Sequence, residues 1–154
     1  MSRAFVREQD ADASEDLPDR LVSEHPNDVT PEGMAGIETA LAGAHEAYAA
    51  GQATNDRSTM ASASRELRYW RARRATARIV PNPDDTSQVR FGSSVTIERD
   101  DGREQSFRIV GEDEADPSRG TISHASPLAR ELFGKGVGDI VRAGARDAEI
   151  RRIF

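Results

Sequence analysis

The chain has 154 residues, no cysteine, 36% hydrophobic residues and a net charge of −6. That length fits one or two small domains, and a mean hydropathy of −0.66 is low for a single large core, so an elongated or partly disordered molecule is expected. Disulfides and thiolate metal sites are excluded, no run approaches the ~20 apolar residues of a membrane span, and no secretory h-region follows Met1, which together suit a cytoplasmic protein.

Residues 1–29 read as an acidic, solvated leader. They hold Glu8, Asp10, Asp12, Glu15, Asp16, Asp19, Glu24 and Asp28 against Arg3, Arg7 and Arg20. Apolar residues there are sparse and unpatterned, so little burial is available to offset ordering entropy. Phe5 and Val6 are the one candidate docking element in this stretch.

Thr30-Pro31-Glu32-Gly33 predicts a helix start: threonine at the N-cap, proline at the first helical position, an acid in the first turn. Met34, Ile37, Leu41, Ala44 and Tyr48 recur at spacings of three and four, a seam with a period near 3.5. Gly51 marks the expected end, and Gly51 to Asn55 the connector. A second helix is predicted from about Asp56 to Ile79, stopped by Pro81 and Pro83. Its seam is Met60, Ala63, Leu67, Trp70 and Ala77. Arginines 65, 68, 71, 73, 74 and 78 crowd its second half, opposed by Glu66. Two such helices joined by a short connector pair as an antiparallel hairpin over residues 30–80. At about 1.5 Å per residue each arm is roughly 30 Å long.

Residues 81–154 form the second predicted domain. Pro81 to Ser87 is a linker. Strands are expected at Val89–Phe91, Val95–Glu98 and Ser106–Val110, with Asp101-Gly102 as a hairpin turn. An acidic run, Glu112, Asp113, Glu114 and Asp116, leads to Pro117 and a turn at Gly120. Ser126-Pro127 caps a short helix whose apolar side is Leu128, Leu132 and Phe133, and Gly134 sits at its C-terminal cap. Ile140-Val141 and Glu149–Phe154 complete the strands. The class is α+β: a helical hairpin followed by a small β-rich domain.

The stretch 111–139 closely resembles the C-terminal domain of the Gre family, the GreA/GreB bacterial transcript-cleavage elongation factors. The residues that carry the resemblance are Gly111-Glu112-Asp113-Glu114-Ala115-Asp116, Ile122-Ser123, Ser126-Pro127-Leu128-Ala129, Leu132, Gly134-Lys135 and Gly138-Asp139. Phe133 departs from the smaller aliphatic residue usual there. Ser2 to Val6 and the stretch from His25 to Gly33 are similar to the leader of GreB-type proteins. The resemblance runs from about Thr30 to Phe154 and is strongest after Val89. It implies an FKBP-like fold for the second domain and docking to the rim of the RNA polymerase secondary channel, with Asp113, Asp116, Ser126, Pro127 and Leu128 as polymerase-binding candidates. The bland alternative for this loop is that it only caps the helix and turns the chain.

In that family two acids at the hairpin tip, in a Gly-Asp-x-x-Glu-Asn motif, help hold the second catalytic Mg²⁺ of the polymerase. Mg²⁺ is a hard ion served mainly by carboxylates, and it activates a bound water. Here the matching tip reads Gly51-Gln52-Ala53-Thr54-Asn55-Asp56. Gln52 and Asn55 stand where the acids belong, and Asp56 is the one nearby carboxylate. A carboxylate facing a divalent ion at about 4 Å gains on the order of 8 kcal/mol in an effective dielectric near about 20. Losing two such groups disables the chelating role. The arms are also shorter than the family's. The resemblance therefore implies a polymerase-binding elongation regulator with weak or no cleavage stimulation. It would be an accessory factor rather than an enzyme, with no catalytic residue, metal or cofactor of its own, and monomeric.

The arginine cluster has two readings. Arg65, Arg68, Arg71 and Arg74 suit nascent-RNA phosphates or an acidic polymerase surface, or they form a solvated helix face whose stems cover apolar groups. No exposed aromatics interleave with them, which argues against base stacking; Trp70 falls on the seam and is expected in the core. His25, His45 and His124 lack metal-ligand spacing, His124 being a loop residue near Ser126-Pro127. A second functional reading is the nucleoside diphosphate kinase regulator group, which shares the two-part plan with a short hairpin. Prolyl isomerase activity is suggested by the FKBP-like fold alone, and fold does not transfer activity.

Overall fold

A computed structural model describes residues 17–154. Two compact units divide them. One contains described residues 17–23 and 38–73; the other contains 24–37 and 74–154.

The hairpin is built from α1, Pro31–Ala53, and α2, Arg57–Thr76, joined by Thr54, Asn55 and Asp56. Ala44, Ala63 and Leu67 of the predicted seam are buried, while Leu41, Tyr48, Met60 and Trp70 are half-buried. The helix ends differ from expectation in two places. α1 runs two residues past Gly51, because Gly51 serves close packing and not a cap: a Cβ there would lie 3.0 Å from Met60 Cγ and 3.1 Å from the Met60 backbone nitrogen. α2 stops at Thr76, not Ile79, because the chain beyond it is captured by a strand. β1, Asp28–Val29, pairs in parallel with β2, Arg78–Ile79. The Arg78 amide donates to the Asn27 carbonyl at 2.9 Å and the Val80 amide to the Val29 carbonyl at 2.9 Å. The Arg78 guanidinium grips both oxygens of Asp28, at 2.8 and 3.0 Å.

The leader expected over 1–29 therefore has structure at its described end. Residues 1–16, with Phe5 and Val6, lie outside the described residues. Asp28 and Val29 form a strand, and Asn27 and Val29 are buried. Low apolar content does not forbid order where backbone groups find a ladder partner.

The C-terminal unit is organised by a five-stranded sheet of β3 (Ser94–Arg99), β4 (Glu104–Val110), β5 (Thr121–Ser123), β6 (Ile140–Ala143) and β7 (Arg146–Ile153), in the order β5-β4-β3-β7-β6. All pairs are antiparallel except β4 with β5. Gly102, at φ 82°, closes the β3–β4 turn as expected. The short helix α3, Pro127–Leu132, covers one face of the sheet. Ala129 and Leu132 pack there with Val95, Ile97, Ile109, Val141 and Ile150. The expected strand at Val89–Phe91 does not form. Val89 is buried, but its amide donates to the Lys135 carbonyl and its carbonyl accepts from Gly134, so it ties down the end of α3 instead of joining the sheet. Gly92, at φ 86°, then turns the chain into β3.

Candidate functional site

The hairpin tip is a tight turn. The Thr54 amide donates to the Ala50 carbonyl at 3.2 Å, that of Asn55 to Gln52 at 3.2 Å and that of Asp56 to Gly51 at 2.8 Å. Asn55 has φ 52°, a left-handed conformation that asparagine tolerates better than most side chains. Gln52 and Asn55 are exposed. Asp56 is the N-cap of α2: one carboxylate oxygen accepts from the Thr59 amide at 3.1 Å and the other from the Thr59 hydroxyl at 2.7 Å. These bonds, the hydroxyl foremost, hold its carboxyl below the usual aspartate range. Both oxygens of the tip acid thus brace the helix start, one bond to each. Among the described residues no group of three His, Asp or Glu side chains could hold a metal ion.

The Asp56 cap has a pH signature. Its folded pKa is depressed, so its contribution to stability is present above the unfolded value near 3.8 and is lost as pH falls through the folded one. Wild type is expected to lose more thermal stability than Asp56→Asn on acidification below about pH 4, since asparagine caps without titrating. Thermal scans by circular dichroism across that range check this; parallel curves refute it.

The four arginines singled out on α2 do not share one face. Residues three apart are offset by about 60° after each step, so Arg74 lies on the opposite side of the helix from Arg65. Arg65 is half-buried, with its Nε out of water and unpartnered, while Arg68, Arg71 and Arg74 are exposed. Arg57, which sequence reading did not single out, lies within about 20° of Arg68 around the helix axis. Trp70 is half-buried and its indole N–H donates to Glu66 at 3.1 Å. Tyr69 meets it edge-on at 4.9 Å.

The acidic loop does more structural than surface work. Glu114 reaches back 84 residues to the start of α1, where its Oε2 accepts from the Thr30 amide at 3.0 Å and its Oε1 from the Thr30 hydroxyl. That hydroxyl also accepts from the Gly33 amide at 2.9 Å, the N-cap bond expected from sequence. Gly33 and Gly111 make room for this contact. A Cβ on Gly33 would lie 1.8 Å from Glu114 Oε2, and one on Gly111 would lie 2.6 Å from the Asp28 carbonyl. Asp116 is also used locally, accepting from the Ser118 amide at 3.0 Å, and bonds from Ser118 hold its carboxyl below the usual range. Asp113 is half-buried.

Ser126 caps α3, its Oγ accepting from the Ala129 amide at 3.2 Å. Pro127 is exposed beside it, and Leu128 is half-buried against the core. His124 stacks edge-on with Phe91 at 5.7 Å and keeps a buried, unpartnered Nε2. Of the five docking candidates, only Pro127 is exposed; Asp113, Asp116, Ser126 and Leu128 are half-buried. No local pattern in the sequence announces the roles of Glu114 and Gly33 or the placement of Arg57 near Arg68.

Residues 83–152 match the family described as "Transcription elongation factor, GreA/GreB, C-term". This segment is a GreA/GreB C-terminal domain. Curated relatives agree. The chain is 50% identical over 72 residues to a protein named Transcription elongation factor GreA from Hyphomonas neptunium, covering 44% of this chain and 46% of that one. It is 47% identical over 79 residues to the GreA of Vibrio parahaemolyticus, covering 48% and 50%. It is 44% identical over 85 residues to the GreB of Neisseria meningitidis, covering 53% and 52%. The matches thus span about half the length of these relatives. Among solved structures, the GreA factor homolog 1 protein of Thermus thermophilus aligns with TM-score 0.41 and 21% identity over 84% of this chain and 99% of that one. A GreA/GreB factor from Nitrosomonas europaea aligns with TM-score 0.41 and 18% identity over 82% and 97%. No helix among the described residues of this GreA/GreB-domain protein is long and apolar enough to cross a membrane.

Proposed function

We propose that the protein is a GreA/GreB-type accessory factor that binds bacterial RNA polymerase and stimulates transcript cleavage weakly or not at all. The GreA/GreB domain would dock at the secondary channel, with Pro127 and its neighbours Ser126 and Leu128 at the contact and Asp113 and Asp116 nearby. Of the α2 arginines, the exposed Arg68 and Arg71, about 60° apart around the helix axis, would face nascent-RNA phosphates. The protein would act in the cytoplasm as a monomer, and any bond cleavage would be the polymerase's own. The GreA and GreB names of the curated relatives favour this over the nucleoside diphosphate kinase regulator reading.

The observation that carries the cleavage reading is the state of the tip. Gln52 and Asn55 bring no charge, and the carboxylate of Asp56 is held by Thr59. A Mg²⁺ ligand must present anionic oxygens outward. Restoring an acid at position 55 is not a simple swap either, because glutamate is disfavoured in the left-handed conformation of Asn55.

Adding purified protein to a backtracked elongation complex tests this. The rate of transcript shortening is expected to stay close to the intrinsic cleavage rate for both wild type and Asp56→Asn, a variant that keeps the cap. Robust shortening by wild type, abolished in Asp56→Asn, would refute the reading. Affinity for core polymerase, measured with the whole chain and with Pro127→Ala, tests the docking half separately.

A further inference from the structure

We propose that residues 17–20 are a strap that covers Arg68 on α2 and competes in cis with RNA phosphates for it. The proposal rests on the reading that Arg68 and Arg71 meet RNA, and it adds a regulatory element to that surface.

Two ion pairs, a backbone hydrogen bond and a guanidinium–aromatic contact hold the strap. The Asp19 carboxylate pairs with Arg68 Nε, and an Arg68 Nη2 donates to the Leu17 carbonyl at 3.4 Å. Arg20 Nη1 donates to Glu66 Oε2 at 2.8 Å. The same guanidinium lies over the Tyr69 ring at 3.7 Å from its centroid and 5.5 Å from that of Trp70. Leu17 also lines a cleft of about 370 Å³ with Arg57, Met60 and Arg68. The segment therefore supplies an anion to one arginine and a cation to the aromatic pair next door.

The chemistry is that of a displaceable mimic. Asp19 offers Arg68 one carboxylate where RNA would offer a phosphate. Its pair is largely exposed, with side-chain exposures of 45% and 68%, so it is weak and salt-sensitive. The residues before it in sequence, Glu15 and Asp16, add negative charge of the same sign. A polyanion that neutralises several arginines gains counterion release that a single carboxylate does not. RNA would thus displace the strap, at a cost in affinity equal to the strap's own hold.

The chain's single tryptophan, Trp70, lies beside Arg20 and reports the strap. The test uses a fluorescent twelve-nucleotide oligouridylate and the full chain, at low salt. Asp19→Ala is expected to tighten RNA binding about two- to fivefold, the worth of one exposed ion pair. Asp84→Ala, which makes the same charge change at an exposed linker position, is expected to leave it unchanged. Arg71→Ala, away from the strap contacts, should weaken binding in both backgrounds. RNA should shift Trp70 emission of the wild-type chain in the same direction as Arg20→Ala does. Equal affinities for Asp19→Ala and Asp84→Ala, with binding still lost in Arg71→Ala, would overturn the strap while leaving the arginine reading intact. RNA binding without a change in Trp70 emission would also overturn it. If no form binds RNA, the arginine reading falls and the competition falls with it, even where Arg20→Ala alters Trp70.

Discussion

Replacing Glu114 by alanine should destabilise the C-terminal unit by about 2–4 kcal/mol, since a buried donor loses a charged acceptor. Thr30 is fully buried, and both its amide and its hydroxyl donate to this one carboxylate. Among the described residues the Thr30 amide has no acceptor besides Glu114, and it lies out of contact with water. Glu114→Gln keeps an acceptor and should cost about 1 kcal/mol, the ordinary worth of a neutral hydrogen bond. Gly33→Ala supplies a sharper test. Its Cβ would sit 1.8 Å from Glu114 Oε2 and 2.5 Å from Cδ, so the carboxylate must leave. Gly33→Ala alone should therefore destabilise nearly as much as Glu114→Ala. On the Glu114→Ala background the same change should be neutral or stabilising by about 0.5–1 kcal/mol, because alanine is the better helix residue. Urea unfolding of the four proteins closes the cycle. Additive losses would show that Glu114 is not what Gly33 makes room for.

Leu132→Ala should cost about 2–5 kcal/mol, the range for emptying a large aliphatic position in a packed core. Leu132 has no solvent exposure and packs in one cluster with Ile97, Ile109 and Ile150. α3 is only six residues long, too short to persist without that packing. Ile150→Val removes one methyl group from the same core and should cost about 0.5–1.5 kcal/mol. The two variants are compared by denaturant midpoint. If Leu132→Ala costs no more than Ile150→Val, α3 is not anchored as the geometry indicates. Under the proposed function, polymerase affinity should follow the folded fraction in both variants, because Pro127 and Leu128 ride on α3.

The Glu114–Thr30 contact changes the meaning of the acidic loop. The Gre resemblance implies a docking surface there, yet Glu114 and Gly111 seat the first turn of α1, and Asp116 caps the 3-10 turn Pro117–Arg119. Loss of polymerase binding on mutating these positions would report folding before it reported recognition. Pro127, exposed at the start of α3, is the cleaner probe of the docking proposal.

The local grammar of this chain was readable without coordinates. Thr30 and Ser126 cap helices as their sequence context demands, and Gly102, Gly120 and Gly134 take positive φ at the expected turns. The seam through Ala44, Ala63 and Leu67 is buried, and the strands around Val95 and Phe107 pair as a hairpin. Each depends on backbone preference or side-chain period within a few residues, which the sequence carries directly. Contacts across the chain decided the rest. Val89 bonds to the end of α3 rather than to a neighbouring strand, and Arg78 leaves the helical pattern because Asn27 and Asp28 hold it. Glu114 finds Thr30 across 84 positions and Arg20 finds Glu66 across 46. A carboxylate or guanidinium on an exposed stretch has no period and no propensity that names its partner. Only the folded backbone brings the two ends together, and only then can the bond form.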